Sequence, residues 1–128
     1  MHNMSINKKV AGDFKSIEGK VRQSLQNHGF TVVTEMDLKN IYKNKLGVDY
    51  HNYVILGACN SNMSYKALQI DPDMGLLMPC NVVVSEEEDG VLISAINPKT
   101  MIGMMQNELL NEVADIVTED LQKAISEI

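Results

Sequence analysis

The chain has 128 residues, of which 45% are hydrophobic and 22% charged, and its formal net charge is −6. This length and balance predict one globular domain over residues 1–128 and argue against a disordered or fibrous chain. The negative charge argues against nucleic acid as a partner, because phosphate binding depends on clustered lysine and arginine side chains.

The apolar runs of the sequence are all far shorter than the roughly 18 residues that a membrane-spanning helix requires. The opening segment, MHNMSINKKV, lacks the apolar core of a signal peptide. We therefore expect a cytoplasmic protein that has no membrane partner. In that compartment a disulfide between Cys59 and Cys80 would usually be reduced.

The first half of the chain predicts helices that alternate with strands. After a short extended start, Asp13 is a candidate N-cap for an amphipathic helix that ends at Gly29. Residues 30–36 alternate between two faces, which is the period of a half-buried strand. A short helix over residues 37–47 and a strand over residues 51–59 complete this half.

The middle of the chain predicts a helix, a turn and an apolar strand. Asn60 or Asn62 can cap a helix that runs to Ile70, and residues 71–75 have turn chemistry. The segment LLMPCNVVVS follows, and it is the most apolar stretch of the sequence. We expect it to form a strand.

The last part of the chain contains the strongest hairpin signal, Asp89-Gly90, between NVVVSEE and VLISAI. Asn97 and Pro98 then begin a short helix, and a long amphipathic helix covers about residues 107–127. Helices and strands are intermixed, a hairpin is present, and a glycine-rich phosphate loop is absent. We therefore predict an α+β fold, a two-layer α/β sandwich with a mainly antiparallel sheet and helices on one face.

Two Cys-Asn dipeptides, in GACN (57–60) and MPCN (78–81), mark the candidate site. A thiol between a strand and a helix lies where free backbone N–H groups favour an anion, which suits Cys59. A glycine within a strand indicates close approach of another group, and a proline before Cys80 suggests an interrupted, accessible strand edge. The predicted ligand-binding residues are Gly57, Cys59, Asn60, Pro79, Cys80 and Asn81.

Three segments of the chain resemble the domain of unknown function 302 family (TT1751-like). They are GFTVVTEMDLKNIYKNKLGVDYHNYVILGACN, YKALQIDPDMGLLMPCNVVV and ISAINPKTMIGM. The resemblance implies a two-layer α/β sandwich that forms dimers, and it implies no established reaction. The chain departs from the family pattern at Ser61, where a proline is expected, and at Met78, where a leucine is expected.

Three interpretations of the two cysteines stay open at this stage. In the first, a homodimer binds a small ligand or a soft metal such as zinc or copper(I), with Cys59 and Cys80 as metal ligands. In the second, the thiols belong to a redox enzyme or a reactive-cysteine sensor. In the third, they are buried structural residues of an interaction module. Antiparallel pairing of their strands would bring the cysteines close together, whereas a parallel connection would separate them.

Other candidate residues carry weaker signals. The sequence has no Ser-His-Asp, HExxH, phosphate-loop or CxxC motif, so an enzyme is not expected and no cofactor is identified. The acidic run at residues 86–89 predicts a solvated turn with ordinary carboxyl acidity. Three histidines are scattered and lack metal-ligand spacing from either cysteine: His2, His28 and His51. Three methionines are predicted to be core or dimer-contact residues, with a copper cluster as the alternative: Met101, Met104 and Met105.

Overall fold

The computed structural model describes residues 4–128, so His2 lies outside the described part of the chain. Five strands form one sheet in the order β1-β5-β4-β3-β2, and all four neighbouring pairs are antiparallel. The strands are β1 (Ser5–Val10), β2 (Thr31–Asp37), β3 (Tyr53–Cys59), β4 (Cys80–Glu87) and β5 (Gly90–Ile96).

Five α-helices and two short 3-10 helices connect the strands. The α-helices are α1 (Phe14–Asn27), α2 (Leu38–Leu46), α3 (Ser61–Ile70), α4 (Pro98–Gly103) and α5 (Asn111–Ser126). The 3-10 helices are Pro72–Leu77 and Glu108–Leu110. Within residues 4–128, each helix is too short or too polar to span a membrane.

Side-chain caps fix where α1, α2 and α4 begin. The Asp13 carboxylate accepts a hydrogen bond from the Ser16 N–H at 3.1 Å, and Asp37 and Asn97 cap α2 and α4 in the same way. Such caps satisfy backbone N–H groups that lack a partner inside the helix. At the other end of α2, Gly47 has a φ of 65°, the left-handed conformation that ends many helices.

The core lies between one face of the sheet and the helices α1 and α5. On β3, the alternate residues Val54, Leu56 and Ala58 are buried on this inner face. One apolar cluster contains them together with the buried stripes of both helices. Because the sheet is antiparallel and its helices pack on it, the predicted α+β fold is confirmed.

The opposite, outer face of the sheet is mainly uncharged. Apart from Glu87 and Gly90 at the hairpin tip, the outward positions of the three central strands are tyrosine, glycine, asparagine, serine or aliphatic residues. They are Tyr53, Ile55, Gly57, Asn81, Val83, Ser85, Leu92, Ser94 and Ile96. Charge is found at the hairpin tip instead, where Lys9 of β1 binds Glu87 at 2.9 Å and Asp89 at 2.6 Å.

Strand β2 departs from the predicted alternation. Val32 lies opposite Ala58 on the inner face, but Thr34 lies opposite Gly57 on the outer face. A β-bulge between them inserts Val33, which is 55% exposed. One extra residue reverses the facing of every later side chain in a strand, so the alternation predicted across residues 30–36 was wrong beyond Val32.

Three further boundaries differ from the sequence prediction. The apolar segment LLMPCNVVVS becomes strand only from Cys80, and the preceding turn is the 3-10 helix Pro72–Leu77. The strand β4 is central in the sheet, so the proline before it does not mark a sheet edge. The last long helix begins at Asn111 rather than near residue 107, whereas the extended start of the chain is found as predicted and is the edge strand β1.

Candidate functional site

The two cysteines lie at neighbouring strand ends. Strands β3 and β4 are antiparallel, and Ala58 lies directly opposite Cys80. Cys59, the last residue of β3, directly follows Ala58, the residue that pairs with Cys80. Both cysteines are free and only partly exposed. Of the two arrangements left open by the sequence, antiparallel pairing is the observed one.

Both cysteines line one small cavity between the sheet and the helices. Its volume is about 40 Å³, and the rest of its wall is mainly aliphatic. A single water needs roughly 10–15 Å³ of such space, whereas sites for drug-sized molecules have about 300–1,000 Å³. The cavity can therefore hold an ion or a few waters. Its sulfur-bearing lining residues are Cys59, Met63, Met74, Met78, Cys80 and Met101.

Cys59 lies beside the first turn of α3. The Asn60 side chain caps this helix by accepting a hydrogen bond from the Met63 N–H at 3.2 Å. The Cys59 thiol donates to the Ser64 hydroxyl, with 3.6 Å between Sγ and Oγ. That hydroxyl in turn donates to the Ser61 carbonyl at 3.1 Å. The N-terminus of α3 therefore fixes the position of Cys59 and places partial positive charge beside it.

Cys80 is in a more apolar environment. Burial, and next the charge of Cys59, raises the pKa of the Cys80 thiol to about 11. Desolvation disfavours the charged form of a thiol, which explains the direction of the shift. Cys80 is therefore protonated at neutral pH unless a cation replaces its proton.

The remaining predicted residues are divided between two faces of the sheet. Asn60 and Pro79 line the cavity together with the cysteines. Gly57 and Asn81 face each other on the outer side, away from it. A Cβ at Gly57 would approach Pro79 Cγ to 2.6 Å and Thr34 Oγ1 still more closely. The close approach predicted at Gly57 is thus made by two side chains of the protein itself.

The two asparagines consequently differ in their surroundings. Asn60 is the N-cap of α3, whereas Asn81 is exposed on β4 and lines a shallow groove on the outer face. The repeated Cys-Asn sequence does not produce a repeated structure. Only the cysteine of each pair contributes sulfur to the shared cavity.

The weaker candidates lie elsewhere or differ from expectation. His28 caps α1 and binds Glu127 at 3.0 Å, and His51 lies 3.4 Å from the Ser85 hydroxyl. Within residues 4–128, no three His, Cys, Asp or Glu side chains are grouped to hold a metal ion.

At the hairpin, the hydrogen bond from Lys9 lowers the pKa of Asp89, so this carboxyl does not have the ordinary acidity predicted.

Three methionines of the cavity, Met63, Met74 and Met78, were missed by sequence analysis, which named Met101, Met104 and Met105 instead. Met101 lines the cavity, whereas Met104 is 68% exposed and Met105 packs against the core. Met63, Met74 and Met78 join Met101 from other elements. No short motif unites them, because their approach depends on how α3, a 3-10 helix and α4 pack together.

The fold and this cavity define a small α+β sandwich with a cluster of thiols and thioethers beneath its sheet. The sequence matches the model of the family described as domain of unknown function DUF302 over residues 6–128, so the chain belongs to that family. It is also similar to the crystal structure of an uncharacterized conserved DUF302 protein from Bacillus stearothermophilus. The TM-score is 0.89 and the identity 24%, over 98% of each chain. Among curated proteins, none shows significant similarity.

Proposed function

We propose that the protein binds a soft metal ion in the cavity between Cys59 and Cys80. The observation that carries this proposal is the convergence of two thiols and four thioethers on a space of about 40 Å³. Thiolates and thioethers are the donors that soft metal ions prefer. A cytoplasmic location, where thiols remain reduced, is part of the proposal.

A metal ion accounts for the site better than a small organic ligand does. The cavity volume is below the range of drug-sized sites by about tenfold. A metal ion also offsets the cost of ionising Cys80, because a coordinating thiol is deprotonated outright. The cavity therefore suits an ion and is too small for a drug-sized molecule.

Titration with Ag⁺ and Cd²⁺ under anaerobic, thiol-free conditions tests the proposal. We expect about one ion per chain for the wild type and none for the Cys59→Ser, Cys80→Ser double variant. Met104→Leu is the matched control, because Met104 is exposed and lies outside the cavity. Circular dichroism of the double variant shows whether it remains folded. Absence of binding in the wild type, or equal binding in the folded double variant, would contradict the proposal.

A thiol redox enzyme is the weaker alternative. Its nucleophile must be a thiolate, but burial raises the pKa of Cys80 to about 11. Neither His28 nor His51 lines the cavity, so neither is placed to act as a base for these thiols. A purely structural role would leave the double variant less stable without any change in metal binding.

We also propose that two copies of the chain associate through the outer face of the sheet. Protein interfaces are depleted of charged residues at their centres, and Glu87, at the hairpin tip, is the one charged residue among the outward positions of β3, β4 and β5. Exposed Met36 extends the same face on β2. The second copy would therefore cover a surface that α1 and α5 leave open.

Sedimentation equilibrium of Val83→Lys measures this association. Val83 lies near the middle of the outer face, on β4. We expect a dimeric wild type, a monomeric Val83→Lys variant, and a dimeric Met104→Lys control. A wild type that stays monomeric at high concentration would refute the association, without bearing on the metal site.

A further inference from the structure

The donor set of the cavity is chemically selective. Two of its six sulfur atoms are thiols, which can become anionic ligands, and four are thioethers, which are neutral. In a core built from aliphatic residues, any of these thioethers could have been a leucine with little change in volume. Their grouping around two cysteines therefore indicates a preference among soft metals.

We infer that the ion is copper(I), held by the Cys59 and Cys80 thiolates and by a thioether from Met63 or Met78. This inference rests on the proposed function and identifies the metal that the site selects. Thiolate and thioether ligands together select copper(I) among the first-row metals. One chain supplies all three ligands.

Counting the ligands separates copper(I) from zinc. Zinc in structural sites takes four ligands from cysteine, histidine and carboxylate side chains. Residues 4–128 contain no group of three such side chains, so one chain supplies two zinc ligands at this cavity. Copper(I) accepts the two thiolates and one thioether of this cavity as a complete set.

Met63 and Met78 are assigned because each is close in sequence to one cysteine and retains room to move. Met63 lies on the first turn of α3, four residues after Cys59, and Met78 precedes Cys80 by two residues. Both are partly buried and pack on the edge of the core. Met74, in contrast, is 2% exposed and is held by core packing.

The binding reaction balances with two protons released. One Cu⁺ ion displaces one proton from each thiol, so the bound complex has a charge of −1 and the two protons go to solvent. No electron is transferred, and the copper stays in the +1 state. The N-terminus of α3 lies beside Cys59, where its partial positive charge stabilises this negative charge.

Competition against a chromogenic Cu⁺ chelator, anaerobically and with a non-thiol reductant, tests the inference. Parallel Zn²⁺ titrations use a zinc chelator. We expect Cu⁺ to bind the wild type at least about a thousandfold more tightly than Zn²⁺. The Met63→Leu, Met78→Leu double variant should bind Cu⁺ at least about tenfold more weakly than the wild type. Loss of a residue that only supports a metal ligand already weakens metal binding about tenfold, and a thioether ligand should matter no less.

Three further variants serve as comparisons. Met105→Leu is the matched control, because Met105 is partly buried but does not line the cavity, and its Cu⁺ affinity should equal that of the wild type. A loss confined to Met74→Leu or Met101→Leu would overturn the assignment of the thioethers. Copper K-edge absorption should show only sulfur neighbours in the wild type.

The failure of this inference differs from failure of the proposed function. If Zn²⁺ binds as tightly as Cu⁺, or if the double methionine variant retains full Cu⁺ affinity, copper selection by thioethers is refuted while soft-metal binding stands. If the wild type binds none of Ag⁺, Cd²⁺ and Cu⁺, the proposed function itself is refuted.

Discussion

Replacing Gly57 with alanine tests the packing on the outer side of β3. The added Cβ would lie 2.6 Å from Pro79 Cγ and closer still to Thr34 Oγ1, whereas real Cβ contacts essentially never fall below 3.0 Å. One neighbour is a rigid proline ring and the other a β-branched side chain, so neither can rotate away freely. The two strands that flank β3 must therefore shift.

Overpacking of this kind costs about 1–3 kcal/mol. Because Gly57 is clamped from both sides, we expect Gly57→Ala to lose about 3 kcal/mol. For a domain of this size, that loss lowers Tm by roughly 10 °C. Thermal and urea unfolding followed by circular dichroism measure both quantities. Adding Thr34→Ala should recover part of the loss, since it removes the closer of the two contacts.

Gly19→Ala is the matched control. Gly19 is exposed within α1, and a Cβ there would meet no other atom within 4 Å. Alanine is the better helix former, so this variant should gain about 0.5–1 kcal/mol. A Gly57→Ala protein as stable as the wild type would refute the reasoning about the clamp.

Three other predictions concern single contacts. The pKa of Cys80 in the folded protein, about 11, lies above the ordinary thiol value of 9.0, so its contribution to stability is complete below pH 9 and is lost as the pH rises to 11. The expected loss in the free energy of unfolding is about 3 kcal/mol. Urea unfolding of the wild type and of Cys80→Ala between pH 9 and pH 11 should show it as a difference that changes with pH. A difference that does not change with pH would contradict a raised pKa of the Cys80 thiol. Asn60→Ala removes the cap of α3 and should lower the free energy of unfolding by about 1 kcal/mol, whereas exposed Asn62→Ala should not. Ser24→Ala removes the buried hydrogen bond that the Ser24 hydroxyl donates to the Ala124 carbonyl at 2.5 Å, and should cost about 1 kcal/mol in the same assay. An unchanged midpoint in either variant would show that the contact contributes nothing.

Local chemistry made much of the fold predictable. The Asp89-Gly90 hairpin and the caps at Asp13 and Asp37 depend on neighbouring residues, and all three form as predicted. The bulge at Val33 was not predictable, because a bulge is stabilised by the partner strand β3 and leaves no distinct residue pattern. Strand order was not predicted either, since β1 pairs with the distant β5.

The candidate site was likewise predictable from the sequence only in part. The cysteines were recognisable as a pair from the repeated dipeptide, and the antiparallel register brings them to one cavity. Asn81 directly follows Cys80 and faces the other way because side chains alternate along a strand, and Gly57 lies opposite Asn81 on that same outer face. Met63 and Met78 are each close in sequence to one cysteine, but only the packing of α3, the 3-10 helix and α4 shows that four methionines share one cavity.

The bulge at Val33 also bears on how copies of this chain can meet. An open sheet has two edge strands with unpaired backbone groups, and such edges can recruit strands from other molecules without limit. In β2 the bulge interrupts the regular edge, and in β1 the edge carries Lys8 and Lys9. Both ends of the sheet are thereby protected from strand-by-strand aggregation. The association proposed for the outer face differs in this respect, because two copies that cover each other's faces form a closed assembly.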